Sequence, residues 1–425
     1  MAEIGIIGGG ALGLGAGLRL AQAGRRVVII EREPELGGLA AGFRPGEDSK
    51  ASLEKFYHHI FKTDRTIIRT IAELGLEEKL VWGQPVSSLL RGGRIYPMSV
   101  SGVLRFGAIP FVDRLRFGAT VAGLKLVPNE RRFAGQTATE WTRRWAGRRA
   151  YDGFIEPQLA GKFGNRARDI SMGWLWSRFH ERTIRLGYLR GGFQQLYDAI
   201  GERIRSLGGE ILLGASASAI RSRDGGVQVD TPHGTHSFER LLVTAPQRVF
   251  ERLAEGLPPD YATSHPGPEF YSAQVLILAL DRPLTDKYWI SVGDPGYPFL
   301  VLVEHTNFMP ASDYGGRHLV YLGNYLPDDS PLLRKSEAEV LAEFLPALKR
   351  FNPDFEASWL RDHWLFRAPY AQPIVTTNYV SSLPPIETPL PAVLLATMAH
   401  VYPQDRGQNY SLRLGEQMAG LLLAG

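Results

Sequence analysis

Cysteine is missing from all 425 residues, which excludes disulfide bonds, thiolate metal sites and a cysteine nucleophile. Charge of one sign is also scarce: 48 basic and 44 acidic residues leave a net +4. That balance does not point to nucleic acid, although a pI near 9.1 leaves room for local basic patches. No uninterrupted apolar run reaches the roughly 18 residues of a membrane-spanning helix. No H-E-x-x-H or similar ligand spacing occurs, so no metal is expected, and no Ser-His-Asp arrangement is recognisable. A strand pattern from Glu3 to Ile7 starts almost at Met1, so no secretory leader is expected and the chain reads as soluble and cytoplasmic. What is present is 44% hydrophobic, enough for a large core and two interlocked domains.

The stretch "EIGIIGGGALGLGAGLRLAQAGRRVVIIE" reads as strand, glycine turn, helix and strand. Gly8, Gly10 and Gly13 fit G-x-G-x-x-G. The first permits a tight turn, the second lets backbone approach a pyrophosphate, and the third lets the helix pack close to the sheet. Free N–H groups and the dipole at the helix start, where Ala11 and Leu12 lie, then hold the phosphates. Gly24 stops the helix. "RVVII" is a buried parallel strand ending at Glu31, close to the expected spacing for a ribose-binding acid. Arg32 follows it and belongs to the same candidate site. An acid here suits an unphosphorylated ribose and disfavours NADP.

The sequel "EREPELGGLAAGF" adds a glycine pair, Gly37 and Gly38, just after that acid. This resembles the FAD-dependent superfamily of amine oxidases, phytoene desaturases and protoporphyrinogen oxidases. The resemblance implies that backbone at Gly38 and Leu39 approaches FAD near its ribityl–pyrophosphate arm. Many members carry Arg where this chain has Leu39, so one phosphate contact is absent or comes from elsewhere. "GYLRGGFQQLYDAIGERIRSLGGEILLGASASAI" resembles the family's return into the nucleotide domain, which implies that backbone near Ala217 meets the adenine. "FERLLVTAP" would be the next strand. In these flavoproteins the terminal helix points its N-terminus at the flavin's pyrimidine edge, where unpaired N–H groups stabilise charge on the reduced ring. In "HVYPQDRGQNYSLRLG", Gly407, Gln408 and Asn409 match that position, and Asp405 could accept a ribityl hydroxyl. Asn409 is also a possible N-cap. Gly407 is expected either to adopt a glycine-only backbone geometry or to lie where a Cβ would strike the ring.

The implied fold is α/β. A Rossmann-like FAD-binding domain (1–51, 187–262 and 386–425) is interleaved with an α+β substrate domain (52–186 and 263–385). No second G-x-G-x-x-G follows a strand, so no NADPH domain is expected. Residues 52–188 read as mostly helical, with "TIIRTIAELGLEEKL" at helical spacing. "SVSGVLRFGAIPFVDRLRFGATVAGLKLVPNERR" mixes apolar faces with Arg and Lys, as a domain-packing helix pair or an interfacial membrane helix would. "AQVLILALDRPL", "PFLVLVEHTNF" and "RHLVYLGNYL" read as strands of a sheet that would roof the flavin.

Candidate catalytic residues are His58, His59 and Lys162. "HHIFKTD" resembles a loop of UDP-galactopyranose mutase whose histidine lies against the flavin. Lys162, in "EPQLAGKFGN", could polarise a water or substrate. Glu304 and His305, and Tyr370, Gln372 and Tyr402, are candidate pocket linings. The expected function is an FAD-dependent oxidoreductase in which flavin N5 accepts hydride from an organic substrate. Few protein groups are then needed, because the cofactor carries the hard step. Two rivals are a non-redox flavoenzyme like UDP-galactopyranose mutase and a flavin-free binding protein of the same architecture. The partner is a small molecule (isoprenoid, amine or nucleotide sugar), with peripheral membrane contact open and no nucleic acid.

Overall fold

The first strand, Glu3–Ile7, pairs in parallel on both sides, with Arg26–Ile30 and with Arg240–Val243. Glu210–Leu212 and Val393–Leu395 extend the sheet. Counted along the chain, its five parallel strands stand in the order 3-2-1-4-5, the doubly wound arrangement. These strands are runs of Val, Ile and Leu because both faces are covered. Ile4, Ile6, Val27 and Ile29 face the helices Ala11–Gln22, Gln194–Ser206 and Gln408–Ala424. Ile7, Val28 and Ile30 face a three-stranded antiparallel sheet spanning Ala219 to Phe238. The computed structural model describes residues 3–223 and 225–424.

The first and last helices lie against each other through glycine. A Cβ on Gly415 would run into the Leu12 carbonyl and sit 2.7 Å from the Ala16 nitrogen, and one on Gly15 would lie 2.9 Å from the Leu412 carbonyl. Close backbone approach, rather than side-chain interdigitation, fixes where the terminal helix begins.

A second, seven-stranded sheet contains all three expected strands, at Phe270–Leu280, Val301–Glu304 and His318–Leu326. Its alternation is strict. Val275, Ile277 and Ala279 face the nucleotide-binding layers, while Leu276, Leu278 and Leu280 face a separate core with the helix Glu337–Leu348. Three contributions to this sheet were not expected, of which Trp289–Val292 is a short strand joining Ser87–Arg91 to Val301–Glu304. Leu360–Pro373 is a 14-residue edge strand; its charged residues and Pro369 hide the pattern, and an edge tolerates them. Ser87–Arg91 and Arg94–Pro97 form a hairpin inside the stretch read as mostly helical. Gly92 and Gly93, both at positive φ, supply the tight turn that makes it. The expected helix after Thr66 is also shorter, Arg65–Glu73, ending before Gly75 at φ +72°.

The basic, apolar segment does form two helices, Val100–Arg105 and Phe111–Leu126. The second buries Phe117 and Leu124 but leaves Phe111, Val112 and Leu126 exposed at 56%, 74% and 85%.

Candidate active site

Two glycine turns cross at the carboxyl end of the first strand. Gly8 turns at φ +110°, and a Cβ on it would collide with the Thr244 hydroxyl. A Cβ on Gly13 would strike the Gly8 carbonyl oxygen and lie 3.2 Å from its carbon, so the helix can start this close to the strand only without one. Gly10 bridges Gly37 in parallel, and the Gly37 N–H donates to the Gly9 carbonyl at 2.9 Å. Gly37 and Gly38 have φ +112° and +58°, and a Cβ on Gly38 would be 3.2 Å from the Gly10 Cα. The helix begins at Ala11 with no side chain of the described residues capping it. Its first-turn N–H groups therefore remain for an anion.

Glu31, buried at the end of the second strand, accepts from the Gly9 N–H at 2.5 Å and from the Glu33 N–H at 2.8 Å. The Ala215 N–H donates to the Glu31 carbonyl at 2.8 Å, which brings the segment carrying Ala217 to the same edge. Arg32 is exposed and pairs with Glu33 at 2.8 Å.

The C-terminal loop reaches this edge from the other side. The Tyr197 hydroxyl donates to Gln408 Oε1 at 2.5 Å, and the Tyr197 ring would lie 2.9 Å from a Cβ on Gly37. Gln408 Nε2 is buried without a partner among the described residues. A buried orphan donor beside a Cβ-free cradle fits a bound dinucleotide. Gly407 does not need a glycine-only backbone: its φ is not in the left-handed region, and a Cβ there would meet nothing nearer than the Tyr410 ring at 3.6 Å. Asn409 is not an N-cap of its own helix. Its Oδ1 accepts from the Thr66 and Ile67 N–H groups at 3.0 and 3.1 Å, capping the helix Arg65–Glu73 across the fold. Asp405, the candidate acceptor of a ribityl hydroxyl, already accepts from protein donors at both oxygens. Oδ1 accepts from the Trp174 indole at 3.3 Å, and Oδ2 pairs with Lys162 at 2.7 Å and with Arg178.

Between the glycine pair and the second sheet lies a cavity lined by Leu39, Phe56, Tyr57, His58, Tyr325 and Arg406. The two neighbouring histidines have different surroundings. His58 lines the cavity, and its Nδ1 lies 2.6 Å from the Phe56 carbonyl. Burial lowers its pKa to about 4, so it is neutral, with Nδ1–H donating and Nε2 as the accepting nitrogen. His59 instead packs edge-on against Phe61 and Trp289, and burial lowers its pKa to about 3. Arg406 donates from Nε to the buried Gln372 at 3.0 Å and from Nη2 to the Tyr325 hydroxyl.

Four expected pocket linings lie elsewhere. Glu304 is fully buried and accepts from the Leu284 and Thr285 N–H groups at 2.9 and 2.7 Å. His305 is bonded to the Tyr314 hydroxyl at 2.7 Å. Tyr370 packs on Phe270, and Tyr402 on Tyr379. Conversely, Arg178 and Arg182 were missed. With Trp174 they recur every fourth residue in "WLWSRFHER", a one-face helical signal, and both approach Asp405.

The model of the family described as flavin containing amine oxidoreductase matches residues 13–404. Three solved structures share the fold. An Exiguobacterium sp. 255-15 protein assigned as a protoporphyrinogen oxidase is 17% identical, with TM-score 0.77 over 100% of this chain and 99% of its own. Reduced UDP-galactopyranose mutase is 18% identical, with TM-score 0.76 over 100% and 96%. Cyclohexylamine oxidase from Brevibacterium oxydans IH-35A is 15% identical, with TM-score 0.74 over 100% and 99%. At these identities the likeness is one of fold. No curated protein matches in sequence.

Proposed function

The chain belongs to the flavin containing amine oxidoreductase family, an FAD-dependent oxidoreductase, and from that premise we propose that it oxidises a carbon–hydrogen bond held in the cavity beside His58. The cofactor supplies the hydride acceptor, N5 of its flavin. Gly8, Gly10, Ala11, Leu12 and Gly13 would hold the pyrophosphate together with Gly38 and Leu39. Glu31 would take the ribose hydroxyls, and Ala217 would lie along the adenine. Gly407 and Gln408 would approach the flavin, with Asn409 fixing that helix start from behind.

The observation that carries the reading is the state of His58. With Nδ1–H committed to the Phe56 carbonyl, neutral Nε2 is an acceptor in the cavity wall. It can take the proton of a substrate N–H or O–H group as hydride leaves the adjacent carbon. Phe56, Tyr57 and Tyr325 line the same space. His58→Ala should slow anaerobic reduction of the flavin by substrate about a hundredfold or more, with flavin content and dithionite reduction unchanged. Stopped-flow absorbance reads this out with whichever amine, isoprenoid or nucleotide sugar reduces the wild type. An unchanged rate would remove His58 from the chemistry. Turnover that needs prior dithionite and consumes no oxidant would transfer the site to the mutase reading.

We also propose that the enzyme works at a membrane surface. Residues 105–149 hold ten basic and three acidic residues, a local +7 in a chain of net +4. The same segment carries the exposed Phe111, Val112, Leu126 and Trp145. Apolar side chains amid excess positive charge suit the interface of an anionic bilayer. The enzyme should co-sediment with vesicles containing phosphatidylserine and not with pure phosphatidylcholine. Phe111→Glu with Val112→Glu should abolish this without loss of flavin. Equal binding by the double variant would refute it.

A further inference from the structure

Deepening that reading, and resting on it for the position of the flavin, we propose that the substrate carries a phosphate or diphosphate ester bound by Lys162, Arg178, Arg182 and Arg406. These residues arrive from three separate segments: the helix Glu156–Phe163, the end of the helix Met172–Glu181, and the C-terminal loop. Three of them converge on two rings, and Arg182 lies 5.5 Å from the centre of the Phe61 ring. Lys162 and Arg178 lie 5.2 and 4.8 Å from the centre of Trp174, while Lys162 and Arg406 lie 5.6 and 5.1 Å from that of Tyr325.

Asp405 is the single carboxylate within ion-pairing distance of any of the four among the described residues. It meets Lys162 at 2.7 Å, Arg178 directly and Arg182 at 3.9 Å. Four basic side chains against one carboxylate leave a formal excess of three positive charges. Lys162 is only 14% exposed, and burial and the neighbouring guanidiniums push its ammonium pKa well down in spite of Asp405. Gathering like charges in a place of low dielectric is unfavourable unless an anion joins them.

The count of charge selects the anion. A carboxylate would neutralise one unit, whereas a diphosphate ester carries two or three. Guanidinium groups also match phosphoryl oxygens in pairs. FAD's own pyrophosphate is accounted for at the glycine turns, so the cluster answers to a different group. Arg406 joins the two regions, since it belongs to the cluster and also lines the cavity beside His58. A substrate anchored by its phosphates would thus present a neighbouring carbon to the cavity. Arg182, 43% exposed, opens the cluster to solvent.

The test is calorimetric titration of the oxidised, FAD-loaded enzyme with inorganic pyrophosphate, with sodium acetate at matched ionic strength as the comparison. Flavin absorbance confirms that FAD stays bound. Pyrophosphate should bind saturably, once per chain, and acetate should not. Arg182→Gln and Lys162→Met should each weaken pyrophosphate at least tenfold while flavin content and midpoint potential stay the same. UDP and geranyl diphosphate separate the two sources of the shared chemistry, a soluble nucleotide and a membrane lipid; whichever exceeds pyrophosphate names the class. Absence of saturable pyrophosphate binding would overturn the proposal, as would undiminished binding in both variants. So would a shifted midpoint with unchanged affinity, which would assign the cluster to the flavin. No turnover is involved, so these failures leave the His58 reading intact, and a failed reduction by substrate leaves the anion site intact.

Discussion

Asp405→Asn should destabilise the folded protein by about 3–5 kcal/mol, the size expected when one partner is removed from a buried ionic cluster. The change is nearly isosteric, so packing is preserved and the loss is electrostatic. Burial alone would raise this carboxyl's pKa, but Lys162, then Arg178, Arg406 and Arg182, outweigh it and hold the group well below the usual carboxylate range. Without the carboxylate, Lys162 and the three guanidiniums face one another with no anion between them, and the Lys162 ammonium pKa falls further. The sign with pH follows from the depressed folded-state pKa. The stabilisation is fully present above the unfolded value of about 4, and it is lost only as pH falls below that. Denaturant unfolding of wild type and variant should therefore differ most at neutral pH, with the gap narrowing below pH 4. A loss under 1 kcal/mol at pH 7 would mean that solvent already screens the cluster.

Gly415→Ala and Gly420→Ala should have opposite signs although they lie in one helix. At Gly415 the new methyl would run into backbone of the first helix, at the Leu12 carbonyl and the Ala16 nitrogen. Backbone cannot yield as a side chain can, so a loss of about 3 kcal/mol is expected. FAD affinity should fall with it, because the displaced helix is the one that starts at the glycine turn. At Gly420 nothing lies within 4 Å, and the same change should stabilise by about 0.5–1 kcal/mol through helix propensity. Thermal unfolding of both apoproteins, with FAD titration, separates the two. Equal effects would contradict the close helix contact.

Local chemistry made the nucleotide end legible. Gly8, Gly10, Gly13 and Glu31 are fixed by short-range geometry, and a spacing rule captures them. Residues whose role depends on what arrives from far along the chain were hidden. Asn409 reads as a cap for its own helix and instead caps one that begins more than three hundred residues earlier. Asp405 reads as a free acceptor until helices from the middle of the chain bring Lys162 and Arg178 against it. Glu304 and His305 sit at a strand end, as pocket residues do, yet hydrogen bonds seal both inside. The hairpin at Gly92-Gly93 was legible in principle, since paired glycines between apolar runs are a turn signal; the helical period of its surroundings masked it.

Gly407→Val tests the central claim most directly, that the start of the terminal helix lies against the flavin. The protein itself leaves room for a Cβ at this position, with the nearest described atom in the Tyr410 ring at 3.6 Å. The variant apoprotein should therefore unfold within about 0.5 kcal/mol of wild type. The holoenzyme should either lose FAD or hold a flavin that is harder to reduce. A helix-end contribution of about 0.3–2 kcal/mol corresponds to a midpoint lowered by up to a few tens of millivolts, at about 30 mV per 1.4 kcal/mol for two electrons. The measurement is a dye-coupled redox titration of both proteins at equal FAD occupancy. The account predicts a lower midpoint or a failure to reach equal occupancy. Full occupancy with an unchanged midpoint would contradict it, and the C-terminal loop would then do no more than cap a helix.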